Sequence, residues 1–330
     1  METSVPTRKS VDDLLLDWAG PVTADPSAVL AQRLSRWFCG RPKGTPAVPP
    51  AFSLLTCFLL LIVTGCSSSY TGERLFWVAE RQRKALGEDL TKATAEQVAK
   101  VRQAFERVVG NAPGTGWAPR AHLAIGGLYA AQRDYANARA ACALVVQNYH
   151  RYKVRVLQAR LAIARTYEAQ QQWDEAANAY RELTEDAPWT TAGLEAPLYI
   201  AALYRTHQHP EQAQKAYERA VRVYTTLIPE APTEELAHQV KQRLALAHQQ
   251  LGESAEAATL LEELEQAPAG TNRPLVLLML GSLYQTRLQE PEKAREAYTK
   301  LVNEFPQHPL VKLATTQLER LKSPTPAPVP

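Results

Sequence analysis

From residue 118 onward, small, aromatic and aliphatic residues recur in one order, separated by short polar turns. One copy runs Ala164, Tyr167, Ala176, Tyr180, Leu183 and Pro188. Before it lie Gly126, Tyr129, Ala138, Ala141 and Cys142; after it come Ala201, Tyr204, Ala213, Tyr217 and Ala220. A fourth copy is degenerate, with Ala245, His248, Ala257, Leu261 and Leu264. The fifth returns to form with Gly281, Tyr284, Ala294, Tyr298 and Pro306, and has one extra residue in its turn. Within each copy the apolar positions fall three and four apart, so each predicts two amphipathic helices. The turns between them read RDYANA, QQWDEA, QHPEQA, GESAEA and QEPEKA.

Each recurring residue has a physical task. The alanine closing each turn sits where two helices cross, because only a small side chain lets their backbones approach. Gly or Ala three residues before the tyrosine does the same on the first helix. The aromatic fills the space that remains, and the proline stops the second helix. One such pair cannot bury its own apolar face, whereas a stack of five or six can.

Small residue, Tyr, Ala, Tyr, aliphatic and Pro at these positions resemble the tetratricopeptide repeat, a helix-turn-helix unit of about 34 residues. The resemblance covers residues 118–321, and a degenerate first copy extends back toward Tyr70, with Phe105 and Pro113 in the late positions. The steps from Tyr129 to Tyr167, Tyr204, His248 and Tyr284 are 38, 37, 44 and 36 residues, longer than the family norm. The longest contains VRVYTTLIPEAPTEE, an extended second helix and loop. The resemblance implies an all-α, right-handed superhelical solenoid of helix-turn-helix repeats. HPLVKLATTQLERL, ending at Leu321, is expected to cap it, and residues 322–330 form a proline-rich, extended tail.

Upstream the pattern is different. Residues 51–65, AFSLLTCFLLLIVTG, hold no charge, and Arg33, Arg36, Arg41 and Lys43 precede them. Fifteen residues are short of the roughly 20 that span a bilayer, and suit the apolar core of a signal peptide. Val63-Thr64-Gly65-Cys66 resembles a bacterial lipobox. That resemblance implies cleavage before Cys66 and a diacylglycerol on its thiol, and Ser67 in place of aspartate favours the outer membrane. An uncleaved single-span helix anchored in the inner membrane is the alternative. Residues 1–50 carry Asp12, Asp13, Asp17 and Asp25, unlike a basic signal start. Either translation begins further in, near Val29 to Leu34, or a cytoplasmic extension precedes the signal. Residues 66–117 then comprise the attachment segment and the degenerate repeat.

Composition adds exclusions. The chain is 45% hydrophobic and 22% charged with net charge +3, both signs interspersed, so no basic patch points to nucleic acid. Of Cys39, Cys57, Cys66 and Cys142, cleavage would leave only Cys142 beside the acylated cysteine, which excludes a disulfide framework; no CxxC spacing occurs. Cys142 falls at a core position and reads as a small buried hydrophobe. Motifs for nucleophilic, phosphate-binding or zinc-dependent chemistry are missing, and GNAPGTG at 110–116 lacks the Lys of a phosphate loop. His207 and His209 sit two apart in a turn without a nearby third ligand. No enzyme activity, cofactor, metal or small-molecule substrate is therefore expected. Trp173 and Trp189 are expected at repeat junctions, and His248 as a packed, hydrogen-bonded aromatic.

In tetratricopeptide repeats the first helix of each pair lines the concave face. By that resemblance the binding positions are Leu123, Gly127 and Ala130; Leu161, Arg165 and Glu168; Leu198, Ala202 and Arg205; and Leu278, Ser282 and Gln285. The Lys and Asn of the peptide-carboxylate clamp are absent from these positions. An apolar stripe flanked by Arg165 and Arg205 suits a helical or extended protein segment; alternatively, these leucines pack inside a tight superhelix. The expected function is a lipid-anchored periplasmic scaffold for protein partners in envelope or outer-membrane assembly, similar in architecture to BamD-type lipoproteins. An accessory subunit of peptidoglycan or polysaccharide machinery is the alternative.

Overall fold

The computed structural model describes residues 51–87, 89–267 and 272–322, with side chains from Ser68 to Leu321. Residues 1–50, the Cys66 side chain and the 323–330 tail therefore lie outside the described residues, as does lipidation at Cys66. No strand occurs among the described residues. The chain divides into two compact units, Met1–Gln132 and Arg133–Pro330.

The first unit holds α1 (Ala51–Ala85), α2 (Ala95–Asn111) and α3 (Trp117–Ala131). Thr94 and Gln97 form a capping box that starts α2, each side chain bonded to the other's backbone N–H. Val98, Val101, Phe105 and Val108 then bury one face of α2. A Cβ on Gly72 would stand 2.7 Å from the Ala112 methyl, so the missing side chain lets α1 close against the end of α2. The Phe76 ring fills the gap above, 5.6 Å from Phe105 and 5.3 Å from Trp117.

The second unit begins with α4 (Tyr135–Asn148). Helix pairs follow: α5 (Lys153–Ala169) with α6 (Trp173–Asp186), α7 (Thr191–Thr206) with α8 (Pro210–Glu230), α9 (Glu234–Leu251) with α10 (Ser254–Gln266), and α11 (Arg273–Leu283) with α12 (Pro291–Glu304). Helix α13 (Val311–Lys322) packs on α12 through buried Ala314, while Lys312, Glu319 and Arg320 are exposed. Within the second unit each helix packs against its neighbour in the chain, giving a solenoid of helix pairs. Ala138, Ala176, Ala213, Ala257 and Ala294 are all buried, as are Ala164, Ala201 and Ala245. Cys142 is a free, buried thiol whose pKa is pushed up to about 12 by burial, so it behaves as a small hydrophobe.

The turns close by one backbone device. Arg133, Gln171, Gln208 and Gln289 take positive φ of 58° to 63°, and Gly252 takes 86°. The N–H of the next residue then returns to the carbonyl of the repeat aromatic: Gln172 to Tyr167, His209 to Tyr204 and Glu253 to His248. In the last pair the extra residue is absorbed as a π-helical turn, Tyr284–Leu288, and Glu290 still reaches the Tyr284 carbonyl at 2.9 Å. The long step resolves as predicted, α8 running 21 residues before α9 starts at Glu234. A buried tyrosine secures it: Tyr224 donates to the Leu194 carbonyl at 2.7 Å.

Candidate functional site

In the second unit the first helices are α5, α7, α9 and α11, and most of the expected groove residues lie on them. Leu161, Leu198 and Leu278 are half-buried and pack against the cores of their own repeats. They form the floor of the surface rather than a free apolar stripe. Leu123, on α3 of the first unit, is also half-buried. Gln285 is turned inward, accepting from the Tyr298 hydroxyl at 3.0 Å.

The polar residues carry the more specific geometry. Glu168 accepts hydrogen bonds from two phenols: Tyr180, on α6, and Tyr199, on α7 at 3.0 and 3.1 Å. The two rings lie 4.8 Å apart at 60°. Arg165, half-buried one turn before Glu168, acts electrostatically on both phenols. Burial, and then the adjacent Glu168 charge, raise the pKa of Tyr180 and of Tyr199, so both remain neutral donors at physiological pH. Tyr199 is nonetheless 42% exposed. A charged carboxylate, a guanidinium and an accessible aromatic face thus meet where α5 and α7 pass each other.

Arg205 faces a different neighbour. It is exposed, donates to the Gln250 carboxamide on α9, and stands 6.0 Å from the Tyr217 ring centre. Arg165 and Arg205 therefore mark two adjoining stations along the first helices, each tied to its own tyrosine. Between repeats, first-helix phenols also reach back to acids on the preceding second helix, Tyr204 to Asp174 at 2.6 Å and Tyr284 to Glu262.

Other sequence candidates resolve as packing. Trp173 stacks on His207 at 3.7 Å and 18°, and His209 meets the Tyr204 ring edge-on. Trp189 packs against the core beneath α8 and α9. His248 Nδ1 lies 2.6 Å from Glu253 Oε2 across its turn. No group of three or more metal-ligating side chains occurs among the described residues. Tyr199 and Gln250 are absent from the expected positions; Tyr199 lies next in sequence to Leu198, which the resemblance selects. Its signal was an aromatic on the polar edge of a first helix.

Helix pairs that present charged and aromatic side chains from successive first helices define a repeat scaffold that binds other proteins. A tetratricopeptide repeat-like domain model matches residues 77–225, and tetratricopeptide repeat models match 200–270 and 275–308. The repeat region belongs to the tetratricopeptide repeat family, and the match from residue 77 brings in part of α1 and all of α2.

Among solved structures, a thermophilic tetratricopeptide protein of Thermus thermophilus is 19% identical over 62% of this chain and 100% of its own, with TM-score 0.41. A tetratricopeptide protein of Parabacteroides merdae is 15% identical over 77% and 100%, TM-score 0.33. Pseudomonas aeruginosa pilF is 12% identical over 76% and 99%, TM-score 0.36. No curated protein matches the sequence.

Proposed function

We propose that the chain is a lipid-anchored periplasmic scaffold of the outer membrane, held at Cys66, that binds a segment of an envelope-assembly protein along α5, α7 and α9. The observation that carries the binding reading is the Glu168–Tyr199–Arg165 station beside exposed Arg205. Accessible aromatics and arginines are the side chains that dominate protein interfaces. A segment with acidic and apolar residues would meet Arg205 and the Tyr199 face together. The anchor reading rests on the lipobox at 63–66. Two or more acyl chains hold a protein firmly where one is marginal.

The test of binding is recovery of partners from membranes by affinity purification and mass spectrometry. Arg165 is half-buried beside Glu168, so glutamate there would add a like charge to a packed site. Arg205→Glu with Tyr199→Ala is the cleaner variant, since both side chains are exposed. It is expected to stay folded and lose partners; a folded variant that recovers the full wild-type set shows that this face does not bind. For the anchor, Cys66→Ser is expected to abolish lipid labelling, and unchanged labelling refutes it.

A further inference from the structure

The first unit carries a second surface that the scaffold reading leaves unused. Tyr70, Arg74, Trp77, Val78 and Arg81 recur at spacings of four, three, one and three residues, which places them on one face of α1. All five lie toward solvent, Tyr70 exposed by 69%, Trp77 by 46% and Val78 by 47%, and exposed Lys84 extends the stripe. The opposite face, with Gly72, Phe76 and Ala79, packs toward α2 and α3. Trp77 is braced edge-on against Trp117, ring centres 6.4 Å apart, and held near Phe76 at 5.8 Å. Among the described residues, no ion pair engages Arg74, Arg81 or Lys84. The nearby acids are spoken for: Glu80 pairs with Arg83, and Glu73 acts on Arg120, which lies over the Trp117 ring.

We infer that this face of α1 lies on an anionic phospholipid surface, with Tyr70, Trp77 and Val78 in the headgroup layer and Arg74, Arg81 and Lys84 on lipid phosphates. Aromatic rings with a polar edge favour the membrane–water boundary, and cations beside them are drawn to anionic headgroups. The stripe also lies on the helix that carries Cys66, the anchor position of the proposed function. Tyr70 is about 6 Å and Trp77 about 16 Å along the axis from Cys66. Both reach the boundary only if α1 lies along the membrane rather than standing on it. A second copy is a poor occupant, because two-fold pairing through this face would bring its own cations together. The inference rests on the reading that Cys66 holds the chain at a membrane, and it adds how the first unit meets that membrane.

The test uses the full chain as purified from membranes, reconstituted into phosphatidylethanolamine–phosphatidylglycerol vesicles whose acyl chains carry bromine. Quenching of tryptophan emission is compared between wild type and Trp77→Phe, the difference isolating Trp77. Wild type is expected to show Trp77 quenching. Arg74→Glu with Arg81→Glu and Lys84→Glu is expected to float with the vesicles yet lose that quenching, as is wild type on vesicles without phosphatidylglycerol. A wild type that floats with Trp77 unquenched overturns the inference while leaving the anchor intact. Concentration-dependent dimers that shield Trp77 from bromolipid also overturn it, assigning the face to a second copy. Loss of lipid labelling at Cys66 with quenching retained would instead remove the anchor reading alone.

Discussion

The ring of Tyr298 occupies the space that a Cβ on Gly281 would need, with its Cδ1 2.6 Å and Cζ 2.7 Å from that position. Ala164, Ala201 and Ala245 fill the equivalent place in the preceding pairs. Gly281→Ala is expected to destabilise the protein by about 1–3 kcal/mol through overpacking. Combining it with Tyr298→Leu should recover part of that loss, a non-additivity readable from urea unfolding of the single and double variants.

The turn residues offer a stabilising change. Gln208 holds φ at 63° where Gly252 serves the equivalent turn at 86°. A left-handed conformation strains a residue with a Cβ and costs glycine only chain entropy. Gln208→Gly is therefore expected to stabilise by on the order of 1 kcal/mol, and Gly252→Ala to destabilise by a similar amount. Opposite shifts of the two unfolding midpoints would bear this out; equal shifts would not.

The crossing alanine of the degenerate fourth repeat is as fully buried as that of the second. Ala257 and Ala176 are both fully buried, and Ala257 joins a core with Leu261, Leu264 and Leu277. Neither methyl reaches solvent, so a branched side chain must displace buried neighbours at both. Ala257→Leu and Ala176→Leu are each expected to cost about 1–3 kcal/mol. Thermal unfolding that leaves Ala257→Leu unchanged would mean the fourth interface is loose.

Burial on α3 lowers the pKa of His122 below its ordinary 6.5. Below pH 6.5 the unfolded chain takes up the proton more readily than the folded one, so stability falls as pH drops through that value toward the folded pKa beneath it. At higher pH both states are neutral there and the effect vanishes. His122→Gln should flatten this acid dependence, measured as unfolding free energy between about pH 7 and pH 5 against wild type.

How much was legible depends on the kind of information each residue carries. Ala176, Tyr180 and Pro188 announced their helix pair because close crossing, cavity filling and helix ending select residue types directly. The same logic read Ala257 correctly inside a copy that had lost its tyrosines. The extra residue before Ala294 was visible as a count, but that it would be taken up as a π-helical turn was not. Insertion can widen a helix or lengthen a loop, and the local sequence is compatible with both.

The surface was less legible. The family resemblance picked out Arg165, Glu168 and Arg205, residues that do lie on the first helices. They also selected Leu161, Leu198 and Leu278, which pack down into their repeats. Tyr199 was passed over because its role depends on Glu168, 31 residues away and brought near only when α5 and α7 align.

By itself, then, the sequence determined the helix pairs, their turns and the small-residue crossings, since each follows from spacing within one copy. Tertiary structure decided which neighbours each charged or aromatic side chain meets: Glu168 with Tyr180 and Tyr199, Arg205 with Gln250, Trp77 with Trp117. Those pairings arise between helices, where side-chain reach and backbone approach set the outcome and no periodicity within a helix records it.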